Sequence, residues 1–362
     1  MNNYPVATID PAALRHNLQC VKQCAPNSRV MAVIKADAYG HGVLTAAEAL
    51  AESDAFAVAR IHEGVQLRQA GYQQPIVVLD GANDEEAFYI AAEYALSPLF
   101  HQQEQLQLFN RLRLPNALPF NWLMVDSGMH RLGIRPEHSV NALQLLADHP
   151  DIDGEVNLLT HFANADSEGD KRNQQQLKIM LALKQQTGRA LCLANSAAVL
   201  SLTEAHQDWV RPGLMLYGIS PFADRDGHQL GLKPAMTLTT RLISTYQLKA
   251  GEQVGYGGSW TAEKDCRIGV ASIGYGDGYQ RHLSNKARVL IHDKVVPVIG
   301  RISMDSICLL LDELPYAQSG DEVIIWGSTQ LPVEQVANLI DTIPYELVTG
   351  LTPRVRREQR HG

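Results

Sequence analysis

Ala32-Val33-Ile34-Lys35-Ala36-Asp37-Ala38-Tyr39-Gly40-His41-Gly42 joins an apolar run to a Gly-rich turn and then to a helical pattern over 41–52. A short apolar run with such punctuation reads as a buried strand feeding a helix. Lys35 falls where the strand ends, so a primary amine stands at its mouth beside Tyr39. That layout suits an imine-forming lysine, although on position alone a surface lysine at a strand end is the commoner occurrence. The same strand-then-helix texture recurs to about residue 218, with candidate strands at 30–34, 55–59, 75–79, 96–100, 120–126, 155–160, 190–194 and 214–218. Most are separated by amphipathic helical stretches such as 171–187. Eight βα repeats imply a parallel sheet and favour a closed (β/α)8, TIM-type barrel over an open one.

The flanks read differently. Tyr4 to Ile9 is a strand expected outside the barrel, followed by Asp10-Pro11 as N-cap and first-turn proline of a helix through Cys24. After Pro221 come β-branched runs broken by Gly and charged turns: 236–246, 267–273, 289–291, 295–298, 307–311 and 323–326, with a helix at 333–340. These imply a mainly antiparallel β domain. We therefore expect a barrel domain over 1–230 and a β domain over 231–362, with residues 1–10 forming a strand associated with the latter.

Composition narrows the function classes. A chain of 362 residues with 45% hydrophobic and 19% charged residues is ordinary globular material. A net charge of −8 without a Lys/Arg stripe argues against nucleic acid, and the basic 354–357 segment is too short to reverse that. No apolar run approaches a membrane span, and the first five residues lack a signal pattern, so a cytoplasmic protein is expected. Five scattered cysteines fit reduced thiols, and no Cys/His spacing calls for a metal.

Polar side chains capable of chemistry gather where barrel strands are expected to end, the face on which such barrels build their sites. Lys35 follows the first strand, Arg131 the fifth, His161 the sixth and Asn195-Ser196 the seventh, while Arg211-Pro212-Gly213 directly precede the expected eighth. The loops of strands seven and eight offer hydroxyl and backbone donors of the kind that bind phosphate. Taken singly, His161 is more often a structural histidine and Arg211 a surface ion pair.

Together these segments resemble alanine racemases almost from end to end. The shared stretches are V-I-K-A-D-A-Y-G-H-G at Lys35, S-G-M-H-R-L-G at Arg131, H-F-A-N-A-D at His161, A-N-S-A-A at Asn195 and W-V-R-P-G at Arg211. They continue with V-G-Y-G-G-S-W at Tyr256, G-Y-G-D-G-Y at Tyr275, G-R-I-S-M-D ending at Asp305 and Y-E-L at Tyr345. The resemblance implies a pyridoxal 5'-phosphate enzyme that interconverts L- and D-alanine as a head-to-tail homodimer, each site taking Tyr256 from the other subunit. It gives Lys35 the cofactor and the proton on the D side, and Tyr256 the proton on the L side, supported by His161 and Arg211. Two bases suit the reaction, since the proton must leave one face of Cα and return on the other.

Further roles come by the same resemblance. Tyr39, Asn195, Ser196, Gly213, Leu214 and Tyr345 bind the cofactor, chiefly its phosphate, and Arg211 also faces the pyridine nitrogen. Arg131, Met304 and Asp305 face the substrate carboxylate, and Tyr275 lines the access channel. These motifs are common to biosynthetic enzymes that supply D-alanine for peptidoglycan and to catabolic ones. A barrel-type decarboxylase would place a carboxylate where Arg211 stands, and a non-catalytic carrier of the cofactor would need neither the β domain nor Tyr256. One position departs from the family: many members carry a carbamylated lysine where this chain has Met124, which cannot be carbamylated. Asp126, an ordered water or a small anion could then orient Arg131, and we expect chloride.

Overall fold

The computed structural model describes residues 4–360; residues 1–3 and 361–362, which the expected domain limits and the reading of the N-terminus also cover, lie outside the described residues. Strand β1 (Val6–Ile9) leads into the helix Pro11–Cys24, which begins where expected because Asp10 Oδ1 accepts from Ala12 N at 2.8 Å and Ala13 N at 3.1 Å.

Eight short parallel strands follow: β2 (Arg29–Val33), β3 (Ala55–Val58), β4 (Ile76–Val78), β5 (Ser97–Pro98), β6 (Asn121–Met124), β7 (Val156–Leu159), β8 (Leu191–Cys192) and β9 (Trp209–Val210). Their order is β5-β4-β3-β2-β9-β8-β7-β6, and a parallel bridge between Phe100 and Leu123 joins the two edges. The ring closes through Phe100 N donating to Trp122 O at 3.0 Å and Met124 N donating to Phe100 O at 2.7 Å. Strands such as Ala55-Phe56-Ala57-Val58 are buried throughout, because helices cover the outside and side chains fill the inside.

The expected eighth strand at 214–218 is wrong. Leu214–Tyr217 is a 3-10 turn, and the eighth strand is the two-residue β9. A short apolar run suits a buried turn as well as a strand. The shift matters for chemistry: Arg211 does not precede the last strand but follows it, at the same end of the barrel as Lys35. The expected helix over 41–52 is also shorter, at Val43–Ala49, because the residues before it form a left-handed turn.

The second sheet contains β10 (Met236–Leu248), β13 (Cys266–Ala271), β14 (Arg288–Ile291), β15 (Lys294–Ile299), β16 (Ile307–Leu310), β17 (Glu322–Trp326) and β18 (Arg356–Gln359). β11 (Gln253–Val254) and β12 (Trp260–Thr261) form a separate hairpin. β1 joins this second sheet, antiparallel to β10 and parallel to β18. β10 pairs with β1 and β17 along its first part and with β13 along its last, with a bulge between Leu242 and Ser244. Such a bulge bends a long strand so that it can serve two partners. The expected helix is found at Val333–Asn338, and a second one, Pro344–Thr349, carries Tyr345 to the barrel mouth.

Candidate active site

The site begins with a strained turn. Ala36, Asp37, Ala38 and Tyr39 all have left-handed backbone, with φ of 52°, 51°, 53° and 54°. Each costs about 1–2 kcal/mol in that conformation, so neighbours must hold the turn. Glu63 Oε1 accepts from Ala36 N at 2.6 Å, and its other oxygen accepts from Ala59 N and Arg60 N at 2.8 and 2.9 Å. Asp37 Oδ1 accepts from Val43 N at 2.7 Å, starting the next helix. The result is Lys35 at the mouth of β2 with the Tyr39 ring turned inward.

Burial and the cations of Arg131 and Arg211 hold the Lys35 amine below the usual lysine range, against a smaller opposing pull from Asp80 and Glu63. Arg211 is 4% exposed. Its Nη2 donates to Thr160 O at 2.7 Å and to His161 Nδ1 at 3.3 Å. A guanidinium can only donate, so His161 Nδ1 is the acceptor and the imidazole proton sits on Nε2. Burial, then Arg211, Arg131 and Lys35, hold His161 well below the usual imidazole range, so the ring is neutral.

The next two loops converge on the same point. Asn195 caps the helix Ser196–Ser201 by accepting from Ala198 N at 3.1 Å, which fixes Ser196. Ser196 Oγ accepts from Gly213 N at 2.9 Å and Met215 N at 3.2 Å. Leu214 opens the 3-10 turn that follows. A Cβ at Gly213 would lie 2.5 Å from Tyr39 Oη, so only glycine admits the phenol there. The Tyr39 ring packs 4.8 Å from Tyr217 and 5.8 Å from Tyr345. Burial raises the Tyr39 hydroxyl and pushes that of Tyr345 up to about 12, so both are neutral donors.

Arg131 is exposed at the same end of the barrel, and its charge acts on both Lys35 and His161. Asp126, considered above as its partner, is engaged elsewhere: it accepts from His130 N at 2.9 Å, pairs with His130 Nδ1 at 2.9 Å and with Arg135 Nη1 at 3.2 Å. Among the described residues no hydrogen bond or ion pair reaches the Arg131 side chain. Met124 is buried at the end of β6.

The remaining expected site residues lie on the β domain. Tyr256 stands on the turn between β11 and β12, where Gly255, Gly257 and Gly258 take φ of 70°, 71° and 53°, which explains the glycines around it. It is 70% exposed, Met304 51% and Tyr275 44%. Tyr256 and Tyr275 share an open cleft of about 860 Å³ with Arg281 and Glu346, and neither Lys35 nor His161 lines it. Asp305 is held by Arg354, whose Nη2 donates to it at 2.6 Å while Nε pairs with Asp277 at 3.2 Å.

Several residues here escaped sequence reasoning. Asp80, two positions past β4, is paired with Arg60 at 3.0 Å, and the strand-end rule that selects Lys35 would have selected it. Glu63 sits in the first turn of the helix Ile61–Gln69, where it caps the N-terminus, and an acidic side chain at that position is the signal that could have found it. Gln176 spans two loops, donating to Ser127 Oγ at 3.1 Å and His161 O at 3.0 Å.

A parallel barrel with its polar cluster at the C-terminal strand ends, joined to an antiparallel β domain, defines the class: a barrel enzyme with its chemistry at one mouth. Residues 9–221 match the family model described as the alanine racemase N-terminal domain, and residues 235–359 that of the alanine racemase C-terminal domain. The chain is 47% identical to the alanine racemase of Nitrosococcus oceani over 355 residues, covering 98% of this chain and 99% of that one. Against the alanine racemase of Aeromonas hydrophila it is 42% identical over 353 residues, 98% of each. The crystal structure of biosynthetic alanine racemase from Pseudomonas aeruginosa superposes with a TM-score of 0.95 at 41% identity, covering 99% of this chain and 100% of that one. The structure of alanine racemase from Acinetobacter baumannii gives a TM-score of 0.91 at 37% identity, covering 99% of this chain and 100% of that one. The chain belongs to the alanine racemase family and is an amino-acid racemase.

Proposed function

We propose that the chain interconverts L- and D-alanine with pyridoxal 5'-phosphate held at the barrel mouth, and that a homodimer supplies each site with Tyr256 of the partner subunit. The observation that carries this is the gathering of a lysine amine of lowered basicity and a neutral His161 hydrogen-bonded to the Arg211 cation at one strand-end cluster. The residues fit the cofactor: Lys35 offers an amine for its aldehyde, and the hydroxyls of Ser196, Tyr39 and Tyr345 offer neutral donors for its phosphate beside the backbone of Gly213 and Leu214. Asn195 fixes that loop. When bound, the cofactor withdraws electrons and so stabilises negative charge at the substrate Cα.

The chain's own residues then divide the work. Lys35, its basicity lowered by burial and cations, exchanges the proton on the D face. Tyr256 of the partner subunit exchanges it on the L face, supported by His161. Arg211 would face the pyridine nitrogen, where a guanidinium that donates without giving up its proton would keep electron withdrawal mild and favour return of the proton to Cα. Arg131 and Met304 meet the substrate carboxylate, with Asp305 fixed beside Met304 by Arg354 and Tyr275 lining the access channel. A chloride ion takes the place beside Arg131 that a carbamylated lysine would fill.

Among the described residues no helix is long and apolar enough to cross a membrane. We place the protein in the cytoplasm and divide it near residue 230. A deuterium-exchange and chirality assay on alanine, serine and larger amino acids tests the reading. Solvent deuterium at Cα of both alanine enantiomers is the expected result; decarboxylation, or exchange confined to one enantiomer, overturns it.

A further inference from the structure

His41 stands directly behind the Lys35 turn and takes no part in the chemistry above. It is 1% exposed. Its Nδ1 lies 3.1 Å from Ala38 O and 2.9 Å from Tyr39 O, two carbonyls that can only accept, so Nδ1 carries the ring proton. The two carbonyls belong to the last two residues of the left-handed turn. With the proton on Nδ1, Nε2 is an acceptor, and it is buried with no protein partner. Burial holds the ring down to about 4, so it remains neutral around neutral pH.

Nε2 belongs to a residue lining a cavity of about 20 Å³ between the barrel and the β domain, walled also by Tyr217, Met236, Trp326, Glu334 and Val348. That volume is enough for one water, which needs at least two polar partners. The indole N–H of Trp326 is a buried donor without a protein partner. One wall thus supplies an acceptor and another a donor. The β domain also grips the turn: Arg357 Nε donates to Gly40 O at 3.0 Å, and a Cβ on Gly40 would meet Val348 O at 2.1 Å. On the inner side, the His41 ring packs 4.5 Å from Tyr217, which packs on Tyr39 and donates to Val33 O at 2.9 Å.

We propose that His41 is a positioning residue for Lys35 and Tyr39: its Nδ1–H pins the left-handed turn, and a single buried water joins its Nε2 to Trp326 across the two domains. The catalytic part of this inference rests on the function proposed above; the structural part does not. In an asparagine the amide N–H reaches where Nδ1 does, but nothing reaches the cavity, whereas phenylalanine keeps the ring and loses both contacts.

The test compares the full-length parent, His41→Phe and His41→Asn. Hydrogen exchange of the peptide 34–43, read by mass spectrometry, should be about tenfold faster in His41→Phe and within about threefold of the parent in His41→Asn. In the same proteins kcat for alanine should fall about tenfold in His41→Phe with KM little changed, and His41→Asn should recover most of it. Equal exchange in parent and His41→Phe, or His41→Asn as loose as His41→Phe, overturns the proposal. If His41→Phe does not fold, His41→Asn against the parent decides by the same limits. A high-resolution crystal structure of the parent should show a water within hydrogen-bond distance of His41 Nε2 and Trp326 Nε1; a dry cavity overturns the bridge. A parent without racemase activity would refute the proposed function while the exchange data still judged His41.

Discussion

The barrel mouth and the exposed face of the β domain carry equally reactive side chains in opposite surroundings. At the barrel mouth Arg211 and Ser196 are each 4% exposed, Lys35 and His161 are tuned by burial and neighbouring charge, and every loop is tied to another. On the β domain Tyr256 is 70% exposed, and Met304 and Tyr275 are in the open as well. A group that moves protons works best in a dry, fixed environment. The first region supplies one within a single chain and the second does not. That exposure supports the proposal that Tyr256 serves a site on a second copy, where the exposed face would be covered.

The largest way to break this contrast is Lys35→Ala, which removes the amine at the mouth of β2. We expect activity to fall about 10,000-fold and the cofactor absorption to vanish. Borohydride trapping followed by peptide mapping should find the label on Lys35, and label on another lysine would refute the assignment. Next comes Tyr256→Phe, which deletes only a hydroxyl. Exchange starting from L-alanine should drop about 100- to 1,000-fold, with a melting temperature like the parent's because among the described residues no hydrogen bond within the chain reaches the hydroxyl. An equal, small loss from both enantiomers would remove Tyr256 from the chemistry.

Acid should sharpen the contrast through stability. His41 is neutral in the folded protein and held to about 4, whereas an unfolded histidine titrates near 6.5. The titratable and charged groups around it are Tyr217, His228, Glu334 and Arg357. Between those values the unfolded chain binds the extra proton, so the stability from keeping His41 neutral is complete above the unfolded value and lost as pH falls toward the folded one. The expected loss is about 2 kcal/mol by pH 5. His161, depressed in the same direction, adds to it on the barrel side. Urea midpoints at pH 7 and pH 5 should differ, and His41→Asn should shrink the difference; equal midpoints in the parent would contradict the burial of His41 as a neutral ring.

The smallest expected effect concerns Arg131. Parent activity should rise about two- to threefold with chloride at fixed ionic strength and ignore bicarbonate, whereas Met124→Lys should respond to bicarbonate and not to chloride. A flat chloride response after dialysis into a bulky anion would remove the ion and leave water beside the guanidinium.

How much of this was legible in the residues depends on how local its causes are. The barrel strands announce themselves because strands buried on both faces must be apolar throughout, as in Ile76-Val77-Val78. The same rule misled at Leu214-Met215-Leu216-Tyr217, where burial alone makes a turn look like a strand. β18, Arg356-Arg357-Glu358-Gln359, has no apolar alternation and exists through its pairing with β1. Lys35, His161 and Arg211 stood out by their motifs. The left-handed turn did not, because Ala and Tyr carry no local preference for positive φ and a single Asp only a weak one, and the four are held there by Glu63, His41 and the β domain, all distant or unremarkable in sequence. The exposure of Tyr256 likewise depends on where its hairpin projects.

The most direct test of the two-chain site mixes Lys35→Ala protein with Tyr256→Phe protein under conditions that exchange subunits. In a mixed dimer one site lacks both groups and the other is intact. Random pairing of equal amounts makes about half the dimers mixed, so about a quarter of parent activity should return. No recovery, with mixed dimers verified by mass, would place Tyr256 in the site of its own chain and contradict the account.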